Sequence, residues 1–173
     1  MIRKYSALLI AAVLSIAVLC SCSKKEKDGV YKFLGDYSYS DPAVCMVYEP
    51  VEGETDESGN RFYGIQYRVI TDLDGLLASG ETVLIYFYSS MSNSGAEMTA
   101  AVEDIAQLYN GKLTVIMMDA MEYRDMMDKY EIEAVPEFVI IKSGQQDSIF
   151  NNGEYDYWTV NDVLLWLQSN GIS

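Results

Sequence analysis

The sequence predicts an α/β domain, a mixed sheet flanked by helices, with a β-hairpin extension on its amino-terminal side. Three observations carry this expectation. Apolar runs at residues 83–88, 113–118 and 138–141 read as strands buried on both faces. Amphipathic segments with helical spacing lie between and after them. The alternation then gives way near the end to a hairpin turned at Lys142-Ser143-Gly144, which makes the sheet mixed.

Residues 1–22 read as an export signal. Met1-Ile2-Arg3-Lys4 is a short positive start, Ala7 to Leu19 is almost wholly apolar, and Leu19-Cys20-Ser21-Cys22 closes the segment. The apolar run is short for a membrane span. Residues 23–42 are expected to be a tether and linker: Ser23-Lys24-Lys25-Glu26-Lys27-Asp28 is polar, and Asp28 to Asp41 is rich in Tyr, Gly and Ser.

Residues 43–70 form the expected hairpin extension, merging into the first strand of a domain that spans 65–173. Ala43 to Tyr48 is apolar and β-branched, and Phe62 to Ile70 alternates in part around Gly64. Between them, Glu52 to Asn60 is acidic. It lacks the spaced ligands of a calcium loop and reads as a charged turn. A short helix is expected over Asp72–Ser79, stopping at Gly80. After the strand 83–88, Ala96 to Tyr109 sets Met98, Val102, Ile105 and Tyr109 on one helical face, ended by Asn110-Gly111. Glu122 to Tyr130 is a further amphipathic helix. Ser148-Ile149-Phe150 is the hairpin partner, and Thr159 with Asp162 three residues on caps the last helix.

Composition removes whole classes of function. The formal net charge is −14, and loss of Arg3 and Lys4 with the signal, which takes no acid, leaves −16. Such a body repels nucleic acid, so no nucleic-acid partner is expected. Histidine is absent, which excludes His-based acid–base catalysis, Ser-His and Cys-His pairs and the usual zinc sites. No metal or cofactor is expected, and the pairs Met117-Met118 and Met126-Met127 read as core filling. Cysteine occurs at 20, 22 and 45 only.

Leu19-Cys20-Ser21-Cys22 resembles a bacterial lipobox, with Cys22 as the lipid acceptor. Cys20 would place a bulky Leu beside the cut. The resemblance implies an extracytoplasmic lipoprotein held at the cell envelope by acyl chains (palmitate among them), each buried CH2 contributing about 0.8 kcal/mol. The membrane, reached through that anchor, is thus one expected partner. Cys45 then remains as the one free thiol. It lies in an apolar strand, where inert packing is the better reading than reactivity.

The order of elements and several local stretches resemble the thioredoxin-like superfamily from about Ile65 to Gly171. Thr82–Tyr88 is similar to its central strand, Gly111–Val115 to the next, and Tyr130-Glu131-Ile132-Glu133-Ala134-Val135-Pro136 to the stretch that leads to its cis-proline. Gly153 falls where the family has a glycine before its last helix. The chain departs from the family where it matters most. Met91-Ser92-Asn93-Ser94-Gly95 stands in place of the redox motif, with Ser92 for the attacking cysteine and Gly95 for the resolving one, and Tyr86 aligns with a buried Asp. Exchange needs a thiolate stabilised at the helix start, which a serine hydroxyl cannot replace.

The resemblance therefore implies a redox-inactive protein, not an enzyme, that keeps the family's binding edge. Val135 would offer its backbone to an extended peptide, beside Pro136, Ser92, Asn93 and Gly153. Ser92 or Ser94 can equally serve as a helix cap. Tyr155-Asp156-Tyr157-Trp158 borders the same groove, with packing under the last helix the plainer reading. A peptide or protein partner is thus expected. The alternatives are a degenerate thiol-disulfide oxidoreductase acting through Cys45 or a partner thiol, and a structural spacer in an envelope complex.

Overall fold

A computed structural model describes residues 29–91, 94–150 and 159–173, with side chains in the helix after residue 93 described from Met98 onward. The signal, Cys22 and the polar start of the tether lie outside the described residues. A 3-10 turn, Gly29–Phe33, leads into β1 (Leu34–Tyr37), β2 (Ala43–Thr55) and β3 (Arg61–Ile70). Then follow α1 (Leu73–Leu77), β4 (Val83–Tyr88), α2 (Ser94–Leu108), β5 (Thr114–Asp119), α3 (Arg124–Lys129), β6 (Glu137–Lys142), β7 (Gln145–Ile149) and α4 (Val160–Ser169).

One seven-stranded sheet runs in the order β1-β3-β2-β5-β4-β6-β7. β4 lies parallel to β5 and antiparallel to β6, and Val83 to Phe87 are all fully buried. That burial on both faces explains its unbroken apolar sequence. Alternate residues divide between two cores. Leu84, Tyr86, Phe138 and Ile140 meet Val102, Ile105, Val163 and Leu167 of α2 and α4. Val83, Ile85, Phe87, Val139 and Ile141 meet Leu76, Leu77, Tyr130 and Ile132 on the opposite face.

Local chemistry sets the element ends. Asp72 Oδ1 accepts from the Gly75 N–H at 2.8 Å and caps α1. A Cβ at Gly75 would come within 2.9 Å of the Phe33 ring, so glycine admits the 3-10 turn against this helix. Ser143 and Gly144 both have positive φ, 51° and 78°, as a two-residue hairpin turn between Lys142 and Gln145 requires. In α4, the Thr159 N–H and hydroxyl both donate to the Asp162 carboxylate, at 2.7 and 2.8 Å. Trp166 Nε1 donates to Ser148 Oγ at 2.9 Å and ties α4 to β7.

Three expectations need correction. Residues 29–37 fall in the expected linker, yet Phe33 and Leu34 are buried and β1 pairs with β3. A two-residue apolar signal inside a Gly- and Tyr-rich stretch is too short to mark a strand. The strand that meets the rest of the sheet is also not 65–70. β2 pairs antiparallel with β5, from Ala43↔Met118 to Met46↔Val115, and β3 sits outside it. The acidic stretch expected as a turn is largely strand: β2 runs to Thr55, and the turn proper is Asp56–Asn60. There Asp56 Oδ1 accepts from the N–H groups of Ser58 and Asn60 at 2.9 and 2.8 Å. These bonds, with that from the Asn60 side chain first among them, hold its carboxyl below the usual carboxylate range.

Beneath β2, the chain at Gly29–Tyr31 shares a cleft with Asn110–Thr114, at the end of the sheet where β4 and β5 begin. If residues 29–37 belong to the core, Phe33→Ala costs about 3 kcal/mol in urea unfolding. The exposed neighbour Asp36→Ala changes stability by less than about 0.5 kcal/mol. Equal midpoints for the two variants would restore the linker.

Candidate functional site

The candidate site lies at the other end of the sheet, where β4 and β5 finish and β6 starts. β4 runs out through Ser89 to Met91, whose side chain is 83% exposed, ahead of α2. β5 finishes at Asp119, a buried carboxylate whose Oδ1 accepts from the Met121 N–H at 2.9 Å. Its own N–H donates to the Pro42 carbonyl at 2.8 Å, and Ala120 N–H donates to the Tyr88 carbonyl at 2.9 Å. Asp119 therefore closes the loop that follows it, and its charge, after burial, helps to push the Tyr88 hydroxyl up.

The Val135–Pro136 peptide bond is cis, as the family resemblance implies. Val135, Pro136 and Glu137 are half-buried. The ladder of β6 begins at Glu137 against Phe87, and at Val139 against β7. Val135 thus lies ahead of both, on the rim of the sheet, a place from which backbone groups can pair with an added extended segment.

Glu137 was not singled out from the sequence. Burial pushes its carboxyl up to about 7, against the pull of the Phe138 N–H, which donates to Oε1 at 2.8 Å. The legible signal was an acid placed directly after Val-Pro at the head of an apolar strand. Tyr86, aligned with the family's buried Asp, is fully buried and stacks on Phe138 with ring centroids 5.1 Å apart. Burial pushes its hydroxyl up to about 12, with the Thr99 hydroxyl pulling the other way. No proton leaves it near neutrality.

The expected site residues are brought together only in part. Val135 and Pro136 stand on the rim, while Ser92, Asn93 and Gly153 lie outside the described residues, as does Tyr155 to Trp158. Cys45 is elsewhere. It sits in mid-sheet between Ile116 and Arg68, 1% exposed. Burial, then the Glu49 charge, raises its thiol to about 12, Arg68 opposing. A thiol so placed yields almost no thiolate at pH 7. The polar group beside it went unread in the sequence: Arg68 Nε donates to Glu49 Oε1 at 2.8 Å, and its guanidinium lies 4.3 Å from the Tyr37 ring centroid.

The Thioredoxin family model matches residues 71–158, from the turn before α1 to just ahead of α4. Thioredoxin Y, chloroplastic, of Oryza sativa subsp. japonica is 28% identical over 79 residues, 45% of this chain and 47% of that protein. Thioredoxin-1 of Drosophila yakuba is 21% identical over 89 residues, 50% of this chain and 83% of that protein. The chain spans less than half the length of the first curated relatives it matches. A solved mutant thioredoxin from Halobacterium salinarum NRC-1 superposes on 61% of this chain and 87% of its own, at 23% identity and a TM-score of 0.47.

Because the Glu137 carboxyl is raised, folding takes up a proton. Its protonated form is favoured in the fold, so stability is lost as pH climbs from about 4.5 through about 7. Glu137→Gln is expected to be roughly 1–2 kcal/mol more stable than the parent at pH 8, a figure lowered for the part-exposed carboxyl. The two converge near pH 4. Parallel melting curves across this range check it.

Proposed function

Since the chain belongs to the thioredoxin family, we propose that it is a membrane-anchored, extracytoplasmic lipoprotein of that family that binds a peptide or protein partner and carries out no redox reaction. The observation that carries this reading is a combination. Residues 71–158, the whole of the family match, contain no cysteine, while the cis Val135–Pro136 edge is retained. Thiol exchange needs sulfur at the helix start, whereas strand addition needs only backbone and shape. The Cys45 thiol supports the same reading, being buried and far up in pKa. The anchor rests on Leu19-Cys20-Ser21-Cys22.

Binding at the rim then proceeds through main-chain pairing at Val135, with Pro136 shaping the approach. Near neutral pH, Glu137 exchanges between acid and carboxylate, so it can donate to or accept from a bound segment. Two assays test the reading. In insulin reduction with dithiothreitol, the chain is expected to leave the uncatalysed rate unchanged; catalysis abolished by Cys45→Ala would establish the oxidoreductase instead. In NMR titration with a library of extended peptides, resonances of Val135 and Glu137 are expected to shift. Silence there, with a fixed neighbour recovered by cross-linking in cells, would make the domain a spacer. For the anchor, Cys22→Ser is expected to abolish palmitate labelling and release the protein from the membrane fraction.

A further inference from the structure

Outside the family match, β2 and β3 carry a surface of a different kind. β2 pairs with β5 only from Ala43 to Met46, so the rest of the β2–β3 hairpin projects as a two-stranded arm. Strand alternation places Tyr67, Ile65 and Tyr63 of β3 in one row, opposite Met46, Tyr48 and Pro50 of β2. At the Tyr67 end this row lies under α2, where the Tyr67 hydroxyl donates to the Glu103 carboxylate. From there it emerges: Ile65 and Tyr48 are half-buried, and Tyr63 is 47% exposed. Tyr39, 76% exposed, leans on Tyr67 with ring centroids 5.3 Å apart, and Tyr48 and Tyr63 lie 5.8 Å apart. Four tyrosines therefore follow about 13 Å of strand.

We infer that this tyrosine row docks an extended polypeptide segment bearing arginine. Charge selects the occupant. Residues 44–60 contain five acids against the single cation Arg61 next along β3, and one of the five, Glu49, is already paired with Arg68. Glu103 stands at one end of the row, and Glu52 and Glu54, two carboxylates against the one guanidinium of Arg61, line a hollow in the arm beside Pro50 at the other. Tyrosine faces attract guanidinium groups, and carboxylates take them in paired hydrogen bonds. The reverse face of the same strands already holds such a group. Arg68 lies over Tyr37, donates to its hydroxyl from Nη2 at 2.9 Å, and grips Glu49 through Nε and Nη2 at 2.8 and 3.2 Å. A second copy of this chain, an anionic lipid surface or a nucleic acid would meet like charge.

The test is calorimetric titration of the full chain with octa-arginine, octa-citrulline and cellohexaose. Octa-arginine is expected to bind and its uncharged analogue not. Tyr48→Ala with Tyr63→Ala is expected to weaken octa-arginine by about tenfold, two ring contacts' worth. Removing distant charge with Glu122→Gln and Asp125→Asn is expected to leave it within about twofold at 0.15 M salt. If the double tyrosine variant binds as tightly as the parent, or both double variants weaken alike, the attraction belongs to the acidic body at large and the inference falls. It falls also if octa-arginine fails to bind, or if only cellohexaose binds, which would make the row a platform for neutral sugar rings.

Discussion

Within the sheet, four residue pairs join the amino-terminal strands to the rest, from Ala43↔Met118 to Met46↔Val115. This short antiparallel seam sets the register of β2 and β3, while Phe33 and Leu34 pack with α1 and the Tyr67 hydroxyl donates to Glu103. Because a strand alternates its faces, the seam decides at once which side chains enter which core: Val44 and Met46 join α2 and α4, while Ala43 and Cys45 join α1. A slip of one residue would exchange the two sets and expel Arg68 and Glu49 from their shared face. The same pairing sends β3, and β1 beyond it, to the outer positions of the sheet. It also explains why the arm stays unpaired past Met46. Pro50, the irregular pairing between Pro50 and Thr55, and the acids that follow are features that blunt a strand edge.

The family part obeys a second logic. β4 is buried on both faces and fixes the two cores, so the chemistry is displaced to strand ends, where backbone and half-buried polar groups reach solvent. At that end the molecule offers a cis Val-Pro edge, a raised Glu137 carboxyl and exposed methionine, and its lone described thiol is remote. Such a set presents shape and hydrogen-bonding groups to solvent. Together with the tyrosine row, it describes a protein with two unlike surfaces, one within the family match and one ahead of it in the chain.

How much was readable beforehand follows from the physics of each element. β4, α2, β5 and the β6–β7 turn stood out because long apolar runs, helical spacing and a Ser-Gly turn each carry a strong local signal. So did the Thr159–Asp162 cap, which needs only two residues at fixed spacing. β1 did not, since its stability comes from Phe33 and Leu34 meeting α1 and β3, partners far along the chain. Neither did the place of β2 next to β5, because pairing partners are chosen by long-range packing that no local pattern contains. At the site, Val135 and Pro136 were legible through the family stretch. Glu137 was hidden because its unusual acidity arises from surroundings assembled only on folding.

The cleft that Gly29–Tyr31 shares with Asn110–Thr114 has a geometric consequence. The polypeptide enters at the sheet's floor, whereas the cis-proline rim is its roof, a central strand of six residues or about 20 Å away. The described chain therefore begins at the end of the sheet opposite the cis Val135–Pro136 bond.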